Sequence, residues 1–280
     1  MKRTDIPFFN ERKDLFKFLV ENKQTLLAEK KYHPKHGDGI NIMFNRTLVD
    51  KNGKALTASK SNAPIDTQGL TQIKVSVAIN TTNIMDSHSD VHLPGLWKKS
   101  IFENKLIKHL QEHTMAFDHI ISDGADLKVY TQVMSWKELG VNLKGNSEVL
   151  TFDSTIKLSR SPYMFDQYAK GYVNNHSVGM QYVSLVMCIN DDSEWCGAEY
   201  EAWQKYIGEV ANREQAEEQG YFWAVKEAKV IEGSAVPIGS NYATPTLDNN
   251  MKSKPGNHLE NQPPKRTGIN YGYITNNLNI

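Results

Sequence analysis

The chain has 280 residues, with 32 Lys plus Arg balanced by 32 Asp plus Glu, so its formal net charge is zero. The length suits one sizeable domain or two small ones. Hydrophobic residues at 39% and aromatics at 10% supply a core, which excludes a chain disordered throughout. The even charge balance lacks the basic excess of a general nucleic-acid binder.

The two cysteines, Cys188 and Cys196, are eight residues apart and have no CxxC partners. They read as free thiols in a reducing compartment rather than as a disulfide framework. The opening residues MKRTDIPFFNERKD carry no apolar run after the basic pair, so no signal peptide is expected. No stretch of about 18 apolar residues offers a membrane span. The expectation is a soluble, cytoplasmic protein without a membrane partner.

Taken in chain order, residues 11–31 predict a helix, with Leu15, Phe18, Leu19 and Leu26 near one face and Phe16, Val20 and Leu27 beside them. Pro34 and Gly37 end it, and residues 50–67 are rich in turn formers. Residues 1–67 therefore read as a helical arm and linker. From residue 69 a strand pattern begins, with Ile73, Val75, Val77 and Ile79 on one side. A polar loop, MDSHSDVHLPG, follows, and then a short helix over 97–104. LIKHLQEH fits helix or strand. LKVYTQVMSW and EVLTFDSTIKL alternate as strands.

Ser161-Pro162 opens a helix, with Ser161 as N-cap and Met164, Tyr168 and Tyr172 at a four-residue spacing. VNNHSVGMQYVSLVM reads as a core strand with a polar entrance. An acidic helical pattern covers 198–219, and YFWAVKEAKVIEGSAVPI reads as a strand pair or one bent strand. After Thr246 the Asn-, Pro- and Lys-rich composition predicts a tail, 247–280, without a fold of its own. Residues 68–246 form the expected central domain. Its strands do not alternate regularly with helices, so the fold class reads as α+β, a mostly antiparallel β-barrel or sheet with flanking helices.

Five of the nine histidines lie between Ile84 and His119: His88, His92, His109, His113 and His119. His88 and His92 with Asp90 have the residue types of a metal site, but the segment reads as a loop and no cysteine is near. No metal or other cofactor is expected. Nucleophilic catalysis asks for a hydroxyl, an imidazole to take its proton and a group to orient the imidazole. Ser177 heads a strand with Gly179 two residues on, where a missing side chain leaves room for a substrate backbone. His113 closes the LIKHLQEH segment. His176, next to Ser177, would point to the opposite strand face.

Four segments together resemble the prohead proteases of tailed phages, capsid-maturation serine proteases related in fold to the herpesvirus assemblins. They are NIMDSHSDVHLPGLWKKSI, LIKHLQEHTMAF, GYVNNHSVGMQYV and AKVIEGSAVPIGSNYATPT, spread over about residues 70–246. The chain departs from the family pattern at Thr114 after the histidine, at PIGSNYA, and in the helical stretch 198–219.

The resemblance implies a herpesvirus-protease-like fold with Ser177 as nucleophile, His113 as base and Glu232 as the acid that supports His113. For that third member another carboxylate, a second histidine such as His119, or a working dyad remain open. It also implies phage major capsid and scaffold proteins as substrates, self-trimming, and action in the bacterial host cytoplasm inside the assembling procapsid. A homo-oligomer is possible, since assemblins couple dimerisation to activity. The alternative is a catalytically silent capsid or scaffold assembly protein, and a further one a metal-dependent hydrolase built on His88, His92 and Asp90.

Overall fold

The computed structural model describes residues 6–32 and 64–248. Two consecutive helices, α1 (Arg12–Glu21) and α2 (Lys23–Tyr32), are followed by strands β1 (Gln72–Thr81) and β2 (Asp90–His92). Then come α3 (Lys98–Glu103), β3 (Lys108–Gln111), β4 (Ile120–Asp123), β5 (Leu127–Ser135) and β6 (Asn146–Lys157). The rest is α4 (Pro162–Ala169), β7 (His176–Ile189), α5 (Gly197–Tyr206), α6 (Arg213–Gln219), β8 (Tyr221–Ala235) and β9 (Thr246–Asp248).

The strands form two open sheets among the described residues. One is antiparallel in the order β5-β6-β1-β9. The other centres on the long β8, whose aromatic and β-branched residues suit a strand buried on both faces. β7 lies antiparallel along one edge of β8, while β2 and β3 run parallel to opposite ends of its other edge, with β4 outside β3. The fold is thus α+β with flanking helices, as its pattern predicts, but among the described residues no closed barrel forms.

The main core lies between the sheets and joins Val75, Val77, Ile79, Leu150 and Phe152 to Val178, Met180, Val225 and Val230. A side chain at Gly233 would meet Phe152 at 2.6 Å and Ile79 at 2.9 Å, so the sheets approach at a residue with no Cβ. Gly233 therefore faces this core, and its neighbours Glu232 and Ser234 face the other way.

The predicted single helix over 11–31 is broken at Asn22, whose backbone N–H and side chain both bond the Phe18 carbonyl. Phe16, Leu19 and Leu26 join the main core, whereas Phe18 is only partly buried. The Phe16 ring lies where a Cβ on Gly220 would sit, 2.7 Å away, and Gly220 ends α6 with φ +81°. The segment read as an arm is thus packed against the body of the protein. Lys30 on α2 pairs with buried Asp90, and Lys23 with Glu199 at 2.5 Å. The linker residues 33–63 and the tail from 249 lie outside the described residues.

Other expectations resolve locally. LIKHLQEH contributes β3, a strand. The stretch 198–219 is two helices, α5 and α6, and 221–235 is one strand. Proline occupies the first turn of α4 as predicted, but the Ser161 side chain makes no cap bond. Met164 and Tyr168 are buried while Tyr172 is 66% exposed, because α4 ends before it. Both cysteines are free thiols, and burial pushes each up to about 12.

Candidate active site

β8 aligns the site. Its residues 232–235 pair with β3 on one side and with the start of β7 on the other. Ser177 lies opposite Ser234, and Gly179 opposite Glu232, so these four positions share one face. A register shift between Gly179 and Met180 places a bulge beside them, a device that re-aims side chains next to functional sites. Ser177 is 5% exposed, and Glu232 and Ser234 are fully buried.

His113 arrives over this face from the end of β3. The chain reverses through Gln111-Glu112-His113-Thr114, closed by a bond from the Thr114 N–H to the Gln111 carbonyl at 3.0 Å. Glu112 and His113 both have positive φ, 51° and 56°. That is the backbone of a type I′ turn, ordinarily built from Asn and Gly. Two non-glycine residues held there cost about 1–3 kcal/mol each, and such strain collects at functional sites. The Glu112 N–H to Ala235 carbonyl bond, 2.9 Å, extends the β3–β8 pairing into the turn.

The result is a buried hydrogen-bonded pair. His113 Nδ1 lies 2.6 Å from Glu232 Oε1, with side-chain exposures of 8% and 0%. Nδ1–H donates to the carboxylate, which makes Nε2 the basic nitrogen of the neutral ring. The other carboxylate oxygen, Oε2, accepts from the Ser234 hydroxyl at 2.6 Å. Ser234 Oγ in turn accepts the His113 backbone N–H at 3.1 Å.

Gly179 has a different role from the one its sequence suggests. A Cβ there would lie 1.9 Å from Glu232 Oε1, so the space belongs to the carboxylate and not to a substrate backbone. The structure thus brings Ser177, His113 and Glu232 to one strand face.

His119 pairs instead with Asp118 at 3.0 Å on the surface. His176 points to the opposite face, as its position predicts, and is fully buried. Its Nδ1 lies 2.9 Å from the Thr244 carbonyl, which can only accept, so Nδ1 carries the proton. Nε2 then accepts from Tyr168 Oη at 2.8 Å. Tyr168 Oη accepts from His109 Nε2 at 3.1 Å, and His109 Nδ1 accepts from Ser154 Oγ at 3.0 Å. This chain of neutral groups underlies the site strands from the core side. Burial lowers both histidines, His176 to about 4 and His109 well below the ordinary range, the latter further lowered by His176. Sequence spacing carries no sign of it, because its members come from β3, β6, α4 and β7.

The polar loop before β2 does not assemble a metal centre. Asp90 accepts from Tyr182 Oη at 2.7 Å and pairs with Lys30. His92 bonds Asn80 and Tyr182, and burial lowers it. Asp86 accepts backbone N–H groups from His88 and Asp90, and burial and then Asp90 raise its carboxyl. Among the described residues no group of three or more His, Cys, Asp or Glu could hold an ion.

The late segment acts as a brace. Asn241 donates to the Thr81 carbonyl at 3.0 Å and accepts from the Thr81 hydroxyl at 3.1 Å. Thr244 Oγ1 donates to the His176 carbonyl at 2.7 Å. Gly239 lies against that same carbonyl, 2.6 Å from where its Cβ would be. The late segment thus bonds to and packs against the backbone just before Ser177.

Compared with protein-family models, with curated proteins and with solved structures, the chain matches none. No described helix is long and apolar enough to cross a membrane.

Proposed function

We propose that this protein is a serine endopeptidase in which Ser177 attacks the peptide carbonyl, His113 is the general base and Glu232 orients His113. The observation that carries the reading is the 2.6 Å contact between His113 Nδ1 and a fully buried Glu232, over the strand face that bears Ser177. A carboxylate there selects the tautomer with Nε2 basic and stabilises the imidazolium formed on proton transfer. Nε2 takes the Ser177 proton as Oγ bonds to the carbonyl carbon. It returns that proton to the leaving amine, and water then hydrolyses the acyl-enzyme by the same route. For this transfer Nε2 must lie within hydrogen-bond reach of Ser177 Oγ in the substrate complex.

The four resembling segments extend the proposal to a herpesvirus-protease-like fold. They also extend it to phage capsid and scaffold proteins, and the chain itself, as substrates, cut inside the procapsid. A second reading, a silent assembly protein with the same face, is favoured by the near-complete burial of Ser177, which is 5% exposed.

The test is the intact mass of the purified protein beside Ser177→Ala, after long incubation at neutral pH, alone and coexpressed with its capsid protein. Truncation in the wild type only supports the peptidase. Identical masses in both settings, with no labelling of Ser177 by a fluorophosphonate, would leave the silent reading.

A further inference from the structure

We propose that Ser234 is a positioning residue that sets both halves of the His113–Glu232 pair. The inference rests on the reading of that pair as catalytic machinery. One hydroxyl serves two ends of the unit. Its proton goes to Glu232 Oε2 at 2.6 Å, and its lone pair receives the His113 backbone N–H at 3.1 Å. The first bond leaves Oε1 alone turned to His113 Nδ1. The second ties down a turn whose Glu112 and His113 backbones are both in the left-handed region.

Without the hydroxyl, the carboxylate loses a donor in a fully buried setting and the strained turn loses one of the bonds that hold it against β8, beside those from Glu112 to Ala235 and from His113 to Glu232. Ser234 is directly opposite Ser177 in the strand pairing, so it also neighbours the nucleophile. Yet its proton is committed to Glu232 and one of its two lone pairs to the His113 backbone, so it has no proton to offer Ser177. Its part is geometric and not chemical. This explains why a serine sits two residues after the acid on the same strand face. Alanine could serve neither bond, whereas threonine keeps the hydroxyl that serves both.

The experiment uses the full chain and a fluorophosphonate probe, which Ser177 attacks at phosphorus with loss of fluoride while its proton passes to His113. Ser234→Ala should lower the labelling rate about 10- to 100-fold, the loss expected for one hydrogen bond to a charged group. Ser234→Thr, which keeps the hydroxyl, should recover most of it. A proton spectrum adds a readout that does not need activity. The His113 Nδ1 proton, assigned by its absence in His113→Gln, should resonate far downfield in the wild type. In Ser234→Ala it should move upfield or broaden.

If Ser234→Ala does not fold, Ser234→Cys, close in size but a weak donor, takes its place with the same expected result. An unchanged labelling rate overturns the proposal, and so does a slower rate with an unchanged Nδ1 resonance. If even the wild type is never labelled, the peptidase reading fails, and the resonance still decides the role of Ser234: moved in the variant it stands, unmoved it falls.

Discussion

Gly179→Ala is the sharpest perturbation of the site, because it adds one methyl group and changes no charge. The new Cβ would lie 1.9 Å from Glu232 Oε1, 2.7 Å from its Cδ and 3.0 Å from its Cγ. The first distance is about 1.5 Å inside ordinary van der Waals contact. Gly179 is on β7, paired to Glu232 itself, so the backbone cannot retreat without breaking the strand pairing. The carboxylate must swing away, and its 2.6 Å bond to His113 breaks.

Overpacking of this kind costs about 1–3 kcal/mol of stability. The larger effect is on rate: a misplacement of about 1 Å costs on the order of 100-fold, and loss of the orienting carboxylate more. Fluorophosphonate labelling and self-cleavage followed by mass should therefore both fall by at least about 100-fold in a protein that still melts cooperatively. The double variant Gly179→Ala/Glu232→Ala tests the cause. If alanine acts only through the carboxylate, it adds nothing to Glu232→Ala alone. A folded Gly179→Ala protein labelled within about threefold of wild type would refute the reasoning, a change far below the loss expected for displaced catalytic groups.

Acid should weaken the fold through the buried histidines. His176 has a folded value of about 4 against an ordinary 6.5, so between those values the unfolded chain binds more protons and stability falls as pH drops. From pH 7 to pH 4 this group alone removes about 3 kcal/mol. His109 and His92 act in the same sense, while Asp86, whose carboxyl is raised, opposes them at the acid end. Denaturation midpoints at pH 7 and 5 should differ clearly, and less so in His176→Gln; equal midpoints in the wild type would contradict the buried neutral assignment. Lys30→Ala leaves Asp90 buried without its cation and should cost about 3–5 kcal/mol, with partial recovery in Lys30→Ala/Asp90→Asn. A urea midpoint close to wild type would mean that α2 is not anchored through this pair.

The strands of the core were legible in the chain because Val, Ile and aromatic residues at period two have one stable use, a buried sheet face. Proline at the start of α4 and the two free thiols were equally local facts. Ser177 and His113 are candidates by residue type and position, while Glu232 enters only through what the resemblance of the late segment implies. Periodicity could not say what lies opposite what. The register of β7 on β8 turned Gly179 from an opening for substrate into the seat of a carboxylate, and it made Ser234 the neighbour of Ser177. The left-handed turn at Glu112-His113 has no Gly or Asn to announce it, because tertiary bonds to Ala235 and Ser234 impose it. Nor could composition show that the N-terminal helices belong to the body: the anchor is Lys30 with Asp90, 60 residues apart in sequence. Local sequence determined which elements form and which groups could react. Only long-range pairing, where backbone register and close contact decide position, brought those groups to one face.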